Sequence, residues 1–445
     1  MKKLITLLVA VVMSVACCFG LVGCGEESSA RTIDLSVNSS VSNAEIAYYA
    51  EYVPADFKIG FIFLHDEKST YDLNFYQSAQ EAVKAMGLKA NQVVYKFNVA
   101  EDQACYDAAK EMIQDGAKAI FADSFGHGTF MAQAAKEFKD VQFYHATGTG
   151  TSVDEAPANL HNAFASIYVG RYLGGVAAGL KLVELYGDTN GKVSDANAKV
   201  GYVGAFPYAE VKSGYTSFYL GVKSVCENAT MNVKFTNSWY DEVAEKSAAE
   251  ALIAGGCKLI SQHADSMGAP TACEKAGIPN VSYNGSTVDK CPNTFIISSK
   301  IDWAPYMKMI IASFANAGND TVLAQSIEYV KQAIGKDFTG DMFTFGSVKM
   351  SAINADAMAK GTVAKLVEEM RNLSSNPSAY VFDCSKFTVN GVNLTTYKAD
   401  VVDDGTFTPE TEVIKTAFGV TYFAESEFRS APYFDIDIDG ITIIE

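Results

Sequence analysis

Side chains that could bind a small molecule recur where predicted strands give way to helices. The first example is Lys58–Ala85, which reads as an apolar strand, a polar loop from His65 to Asn74, and a helix from Phe75. A phenyl ring can stack on a planar ligand, while the Asp72 carboxylate and the Asn74 amide can hydrogen-bond to its polar edge. These residue types predict reversible binding at this turn.

The same kinds of residue follow later strand ends in both halves of the chain. Asp123 and Phe125 lie at one predicted strand end, and Phe206 lies at another. The aromatic members could instead pack the core; a ligand role is favoured for Phe75 and Phe206 and left open for Phe125 and Trp303. The complete set of candidate ligand-binding residues is Asp72, Asn74, Phe75, Asp123, Phe125, His145, Phe206, Glu210, His263, Asp265, Asn284 and Trp303.

Alternating strands and helices run through most of the chain in two successive series. The first series begins at Lys58 and the second at Lys199, with the long helix 166–185 between them. Near-continuous apolar strands followed by helices indicate parallel sheets that are covered on both faces. Open α/β sheets bind ligands at the carboxyl ends of their strands. The sequence therefore predicts an α/β fold with two similar lobes and a ligand site between their strand ends.

A nucleoside fits this chemistry, but a zinc site and an enzyme active site are alternatives. His263 and Asp265 could ligate a metal, yet no helix carries histidines four residues apart, so polar pocket residues are favoured. Enzymes that process nucleosides also hold ribose with aspartates. The chain contains no G-x-S-x-G elbow, P-loop or G-x-G-x-x-G motif. We therefore expect a binding protein without a metal or a cofactor.

Several motifs resemble those of the basic membrane protein family, the purine nucleoside receptors of bacterial ABC importers. Asp72-Leu73-Asn74-Phe75 resembles the D-x-x-F start of that family, and Tyr168–Gly179 resembles its Y-x-x-R-Y-L-x-G-x-x-A-G helix. The resemblance covers roughly residues 58–346. One branch of the family is also resembled by Tyr144–Gly148, Gly201–Val211, Gln262–Ser266 and Trp303–Tyr306.

This resemblance implies a type I periplasmic-binding-protein fold, with two Rossmann-like lobes joined by a three-segment hinge. It also implies a purine nucleoside held between aromatic rings, with Phe75 as the first-lobe ring and Phe206 in the loop of the facing ring. The chain departs from the family at Tyr76, where Asn is usual, and at Asn284, where Asp is frequent. The tail after Gly346 is hard to align with the family.

The residues and the resemblance together divide the chain into segments. Residues 1–23 are predicted to be a lipoprotein signal peptide, and residues 24–56 a tether. The N-terminal lobe is predicted to contain 57–161 and 299–345, the C-terminal lobe 162–298 and 346–380, and the tail 381–445 is assigned to neither lobe.

The first residues of the chain are typical of an exported protein. Lys2 and Lys3 precede an apolar run, and Leu21-Val22-Gly23-Cys24 resembles a lipobox, in which the cysteine receives the lipid. An ordinary signal peptide or a short membrane anchor is the alternative, but the run is short and rich in Gly and Cys for a spanning helix. We predict a lipid anchor at Cys24 on the outer side of the cell membrane.

Charge and cysteine content restrict the partners. The 445 residues carry a formal net charge of −17, which repels polyanions and argues against a nucleic-acid partner. Six cysteines follow Cys24 without metal-type spacing, and both a Cys273–Cys291 disulfide and buried free thiols are open. The resemblance implies an ABC permease and ATPase as partners and a monomeric receptor. A ligand-sensing lipoprotein would have the same pocket.

The tail from Tyr380 is predicted to be mostly strand-like, with turns at Asn390-Gly391 and Asp404-Gly405. Asp435–Gly440 matches the first half of an EF-hand loop. The twelfth position of that loop would fall just beyond Glu445, so a half-buried strand that ends in an Asp-Gly turn is favoured.

Overall fold

The first lobe is built on a six-stranded, fully parallel sheet. The computed structural model describes residues 30–445 except 36, 38, 42, 152–154 and 403–405, so Cys24 and the predicted signal peptide lie outside the described residues. The neighbouring interior strands Ala119–Ala122 and Ile59–Ile62 are buried along their whole length, in agreement with their unbroken apolar sequences. From edge to edge the strands are Asp337–Gly340, Leu160–Ala165, Gln142–Ala146, Ala119–Ala122, Ile59–Ile62 and Val93–Lys96.

The second lobe contains a seven-stranded sheet. Its strands pair in parallel, except that the edge strand Val348–Met350 runs antiparallel to its neighbour. The chain thus folds into two α/β lobes, as the sequence predicted. From edge to edge the strands are Val348–Met350, Phe295–Ile301, Asn280–Tyr283, Ile260–His263, Lys199–Gly204, Thr230–Phe235 and Ile441–Ile443.

Helices cover both sheets, and polar side chains cap several of them. The side chain of Ser69 accepts a hydrogen bond from the Asp72 amide and so begins the first long helix. First-lobe helices are Thr70–Ala85, Gln103–Gln114, Gly128–Glu137, Ala304–Ser313 and Thr321–Ile334, preceded by Asn43–Ala47. Second-lobe helices are Tyr168–Tyr186, Ala209–Lys223, Glu242–Ala254, Gly268–Ala276, Thr362–Leu373 and Pro377–Val381. No helix in the described ranges has the length and apolarity needed to cross a bilayer.

Three crossings join the lobes, which confirms the three-segment hinge. They lie after Ala165, after Ile301 and between Gly340 and Val348. The predicted lobe boundaries at 161/162 and 298/299 therefore fall inside strands, and the actual crossings come three to four residues later. The difference arises because both crossings are buried like the strands before them, so no exposed linker marks the boundary in the sequence.

The tail is mostly irregular, in contrast to the prediction. In the part of the tail that the structure describes, the ladders before the last strand are short, Lys398–Ala399 with Thr411–Glu412 and Ile414–Ala417 with Val420–Phe423. The last strand then joins the second sheet. Many of its polar groups pair with side chains instead of with a neighbouring strand. The turn at Asn390-Gly391 is present, with both residues at positive φ; Asp404-Gly405 lies outside the described residues.

Residues 434–440 have the alternating burial that the sequence predicted, although they form no ladder. Ile436 and Ile438 are buried, and the chain turns at Asp439-Gly440. Asp435 and Asp437 accept hydrogen bonds from tyrosine hydroxyls. No group of three acidic, histidine or cysteine side chains suited to a metal occurs among the described residues.

Two helices of the second lobe, Tyr168–Tyr186 and Ala209–Lys223, pack in close contact. A Cβ atom on Gly175 would lie 2.0 Å from the carbonyl oxygen of Phe218, and one on Gly221 would lie 2.1 Å from that of Tyr172. Real Cβ atoms do not approach backbone so closely, so glycine is required at both positions. The soluble-helix interpretation of the glycines in Tyr168–Tyr186 is consistent with this buried packing.

We therefore expect Gly175→Ala to destabilise the protein by about 1–3 kcal/mol, because the two helices would have to separate. Gly285→Ala is the matched control, since no heavy atom lies within 4 Å of its added Cβ. Urea unfolding followed by circular dichroism measures both. Equal stability of the two variants would contradict the close helix contact.

Candidate functional site

A cavity lies between the lobes, where the carboxyl ends of both sets of strands meet. The space there that protein atoms do not fill is about 440 Å³, part of it open to solvent. The lobes meet beside it, because the Thr70 amide and hydroxyl donate to the Asp265 carbonyl oxygen at 2.9 and 3.0 Å. The cavity is lined by Leu64, His65, Tyr71, Asp72, Ser124, Phe125, Thr147, Phe164, Glu210, Trp239, His263, Asp265 and Tyr283.

Asp72 is the buried carboxylate of the first-lobe wall. It accepts hydrogen bonds from the His65 amide at 2.7 Å and from the Ser69 hydroxyl at 2.5 Å. Burial opposes ionisation, but the hydrogen bonds from His65 and Ser69 outweigh it and lower the pKa of Asp72. Asp72 therefore places a negative charge at the start of the first long helix.

Tyr71, one turn before Phe75, is the ring that this helix presents to the cavity. Its hydroxyl donates to the Asp123 carbonyl oxygen at 2.7 Å. Phe75 is fully buried behind it, 4.8 Å from the Tyr71 ring and stacked on Trp303 at 4.5 Å. The D-x-x-F helix therefore contributes Tyr71 to the cavity wall and Phe75 to the layer beneath it.

The second-lobe wall carries two further carboxyl groups. Burial raises the pKa of Glu210 to about 7, although the positive Arg171 opposes this. Burial, together with the neighbouring acids Glu245, Asp72 and Glu210, raises the pKa of Asp265 well above its usual value. Asp265 also accepts a hydrogen bond from the Asn284 amide at 3.2 Å. This wall can therefore offer protonated or ionised oxygens to a ligand.

Arg171 lies beneath this wall as a buried cation. Its guanidinium donates to the Gln262 carbonyl oxygen at 2.6 Å and lies 3.4 Å from the centre of the Tyr283 ring. Its Nε and Nη2 atoms have no hydrogen-bond partner. Burial and this charge together lower the pKa of His263 well below its usual value, so His263 is neutral.

Aromatic rings from both lobes meet at the outer end of the cavity. Phe125 of the first lobe lies 5.7 Å from Tyr208 of the second. Tyr208 stacks on Phe206 at 5.1 Å, and Phe206 contacts the edge of Trp239, which lines the cavity. Phe206 thus supports the wall from one layer out.

Five of the twelve predicted ligand-binding residues line the cavity, namely Asp72, Phe125, Glu210, His263 and Asp265. The other seven lie outside its wall. Asn74, Phe75 and Trp303 are at the hinge side, where the Asn74 amide donates to the Ile301 carbonyl oxygen at 2.7 Å. Asp123 and His145 are buried in the first lobe behind the wall, Phe206 supports it, and Asn284 orients Asp265.

The wall also contains residues that the sequence analysis did not select. His65 and Tyr71 flank Asp72, and a search of the whole polar loop would have included them. Trp239 and Tyr283 end or follow second-lobe strands, so the strand-end rule could have found them too. Thr147 directly follows the strand Gln142–Ala146 and could have been found in the same way. Phe164 lies inside a strand, so only the packing of the lobes turns it towards the cavity.

The six cysteines among the described residues are buried free thiols, including Cys273 and Cys291. Burial raises the pKa of the Cys257 thiol to about 11, which leaves it unreactive. The structure therefore uses these cysteines as small apolar side chains.

Two parallel-sheet lobes, three crossings and an enclosed cavity at the facing strand ends define a two-lobed solute-binding protein of the type I periplasmic class. The family model for Bmp, described as ABC transporter substrate-binding protein PnrA-like, matches residues 61–329. The chain belongs to this family, as the motifs predicted. The family consists of substrate-binding proteins of ABC transporters, which act outside the cytoplasm, and not of enzymes.

Individual relatives agree with this assignment. A purine-binding protein of Brucella abortus is 33% identical over 260 residues, which is 58% of this chain and 68% of that protein. A Haloferax volcanii protein, provisionally described as an ABC transporter glucose-binding protein, is 32% identical over 44% of this chain and 46% of its own length. A solute-binding protein structure from Conexibacter woesei covers 72% of this chain and 97% of its own at 18% identity and a TM-score of 0.53, and shares the fold.

The raised pKa of Glu210 predicts that the free energy of unfolding depends on pH. Its pKa is about 7 in the folded protein against 4.5 when exposed, so the folded state keeps this proton after the unfolded chain has lost it. The contribution of Glu210 to the free energy of unfolding therefore falls as pH rises from about 4.5 to about 7. Glu210→Gln removes the titration and should gain stability over the native protein, by up to roughly 3 kcal/mol at pH 8 and little at pH 4.5.

Urea unfolding at several pH values measures this difference. Glu250→Gln, at an exposed position on Glu242–Ala254, is the matched control. A stability difference for Glu210→Gln that does not change with pH would contradict the buried, protonated carboxyl.

Proposed function

We propose that this protein is a lipid-anchored receptor that binds a purine nucleoside, or a closely related purine, in the interlobe cavity and delivers it to an ABC permease and ATPase. The observation that carries the proposal is the composition of the cavity wall, in which both lobes supply aromatic rings beside carboxyl groups. In this proposal the protein acts as a monomer, since one chain encloses the cavity.

The rings suit a flat heteroaromatic ligand. Tyr71 and Phe125 come from the first lobe, and Trp239 and Tyr283 from the second, so a base between the lobes can contact rings on both sides. Stacking of this kind contributes about 1–3 kcal/mol per base. In this proposal Phe75 and Phe206 act from behind, because each supports a ring of the wall.

The acidic groups suit the hydroxyls of a ribose and the ring and amino N–H groups of a purine. Ionised Asp72 accepts hydrogen bonds only, whereas a protonated Glu210 or Asp265 can also donate one to a ring nitrogen. Buried carboxyl groups are costly without partners, and the ligand would supply those partners on closure. Such a wall favours a neutral, hydrogen-bond-rich ligand over an anion.

The named relatives support a small polar solute and differ on which one. The relative from Brucella abortus is a purine-binding protein, and the relative from Haloferax volcanii carries a glucose-binding description. A glucose ring could also stack on Trp239 and pair with carboxylates. Five Phe, Tyr or Trp rings line the cavity and favour the purine, so glucose is the comparison ligand for the test.

Closure of the lobes would complete the site. Asp72 lies in one lobe, Glu210 and Asp265 in the other, so neither lobe can surround a ligand alone. The contact between Thr70 and Asp265 belongs to the closed form. Rotation at the three crossings would open it, admit the ligand and present the closed form to the permease.

Isothermal titration calorimetry should detect micromolar or tighter binding of adenosine, guanosine or inosine, or of the corresponding base. Trp239→Ala should weaken that binding roughly 5- to 150-fold, since it removes one stacking ring. Tyr329→Ala is the control, because Tyr329 is an exposed ring on Thr321–Ile334 outside the cavity wall. Binding of glucose without binding of any purine would overturn the ligand assignment.

Membrane attachment is tested separately. The Leu21-Val22-Gly23-Cys24 sequence predicts that Cys24 receives a diacylglyceryl group when the protein is expressed in a bacterium that processes lipoproteins. The native protein should partition into detergent and show the lipid mass, and Cys24→Ala should lose both. A Cys24→Ala protein that remains equally membrane-bound would refute the anchor.

A further inference from the structure

The segment 425–434 of the tail is carried by the second lobe. The Glu425 carboxylate accepts a hydrogen bond from the Ser213 hydroxyl at 2.7 Å, and the Glu425 carbonyl oxygen accepts one from Ser378 at 3.1 Å. Three residues beyond the segment, the Asp437 carboxylate accepts from Tyr215 at 2.5 Å. The chain then ends in a strand of the second sheet. Both ends of the segment are therefore fixed to this lobe.

The middle of the same segment is bound to the first lobe. Asp337, in an edge strand of the first sheet, accepts hydrogen bonds from the Ser430 amide at 2.6 Å and from the Ser430 hydroxyl at 2.5 Å. The Asn162 amide donates to the Ser430 hydroxyl and to the Asp337 carboxylate, both at 3.0 Å. Ser430 is fully buried in this contact, so water does not substitute for these partners.

The bend that carries Ser430 is rigidly built. The Arg429 guanidinium donates to the carbonyl oxygens of Val401, Ala431 and Pro432 at 2.8–3.2 Å. The Tyr433 hydroxyl accepts from the amide of Glu427 at 3.1 Å, and its ring is buried. A preformed bend loses little conformational entropy when it docks, so the contact with Asp337 retains most of its strength.

The segment also closes one side of the ligand site. A chamber of about 520 Å³ adjoins the cavity, and Phe125, Thr147 and Glu210 line both spaces. Its outer wall is formed by Ala431 and Pro432 together with Arg429 of the tail. Asn162 also links the contact between Ser430 and Asp337 to the cavity wall. Its side-chain oxygen accepts a hydrogen bond from the amide of Gly148, next to Thr147.

We propose that residues 425–434 form an interlobe clasp, which fastens the first lobe to the second through Ser430 and Asp337 and must detach before the cavity can open and exchange its ligand. The clasp lies outside residues 61–329, the part matched by the family model, so the two-lobed fold alone does not account for it. The inference that the clasp retains a ligand rests on the proposed function. The inference that the clasp binds the first lobe does not.

Opening the lobes would pull Ser430 away from Asp337, because the clasp is anchored to the second lobe at both ends. The two hydrogen bonds that Asp337 accepts from Ser430, and the one that the Ser430 hydroxyl accepts from Asn162, would then have to be replaced by water. Hydrogen bonds to a charged group are among the stronger ones, so their loss shifts an equilibrium by about tenfold or more. The clasp therefore holds the closed form and slows opening.

The test compares the full-length protein with Asp337→Ala, Ser430→Ala and the control Thr388→Ala. Thr388 donates to Asp439 within the tail and contacts no first-lobe residue through that bond, so its loss leaves the interlobe contact intact. Two measurements are made: small-angle scattering of ligand-free protein, prepared by unfolding, dialysis and refolding, and stopped-flow dissociation of adenosine.

Asp337→Ala should raise the radius of gyration of the ligand-free protein and speed adenosine dissociation about tenfold. Ser430→Ala keeps the hydrogen bond from its backbone amide to Asp337, so it should fold normally and change both quantities less. Thr388→Ala should match the native protein. If adenosine does not bind, the ligand assignment is wrong, but the scattering measurement still tests whether the clasp holds the lobes together. The proposal would be overturned if hydrogen exchange shows that the Ser430 amide is freed in Asp337→Ala while the scattering stays unchanged. The dissociation rate of any bound adenosine would also have to stay unchanged.

Discussion

Burial of several carboxyl groups in one interlobe cavity is the constraint on which the rest of this structure depends. Asp72, Glu210 and Asp265 line the same cavity, where Asp72 and Asp265 are buried and Glu210 is half-buried. Each acid must be paired, protonated or balanced by a positive charge. Asp72 is paired by hydrogen bonds, Glu210 and Asp265 shift towards protonation, and Arg171 supplies positive charge beneath them.

The position of Arg171 in turn explains the tight packing of the second lobe. Its helix, Tyr168–Tyr186, lies against Ala209–Lys223 at a distance that only glycine permits at positions 175 and 221. This contact brings the guanidinium under the Tyr283 ring and beside the Gln262 carbonyl oxygen, where its charge stays close to the acids without contacting them. The close packing of these two helices therefore also fixes the position of the positive charge beneath the site.

In the proposed mechanism, the same acids belong to two lobes that separate to admit a ligand and then meet around it. The hinge provides the freedom to do so, and direct contacts such as that between Thr70 and Asp265 oppose it. The tail adds a second attachment at Asp337, three residues before the crossing that begins after Gly340. A receptor built in this way has its opening rate set partly by residues that lie outside the cavity wall.

The sequence by itself determined the two α/β lobes, the family, and the strand-end placement of Asp72, Glu210, His263 and Asp265, because these follow from local periodicity and short motifs. It did not determine that Tyr71 lines the cavity while Phe75 packs on Trp303, since both rings lie on one helix and its rotation depends on the lobe core. Only the tertiary structure decided that the irregular tail binds both lobes. That contact joins residues 337 and 430, and hydrogen bonds between such distant positions leave no pattern in the local sequence.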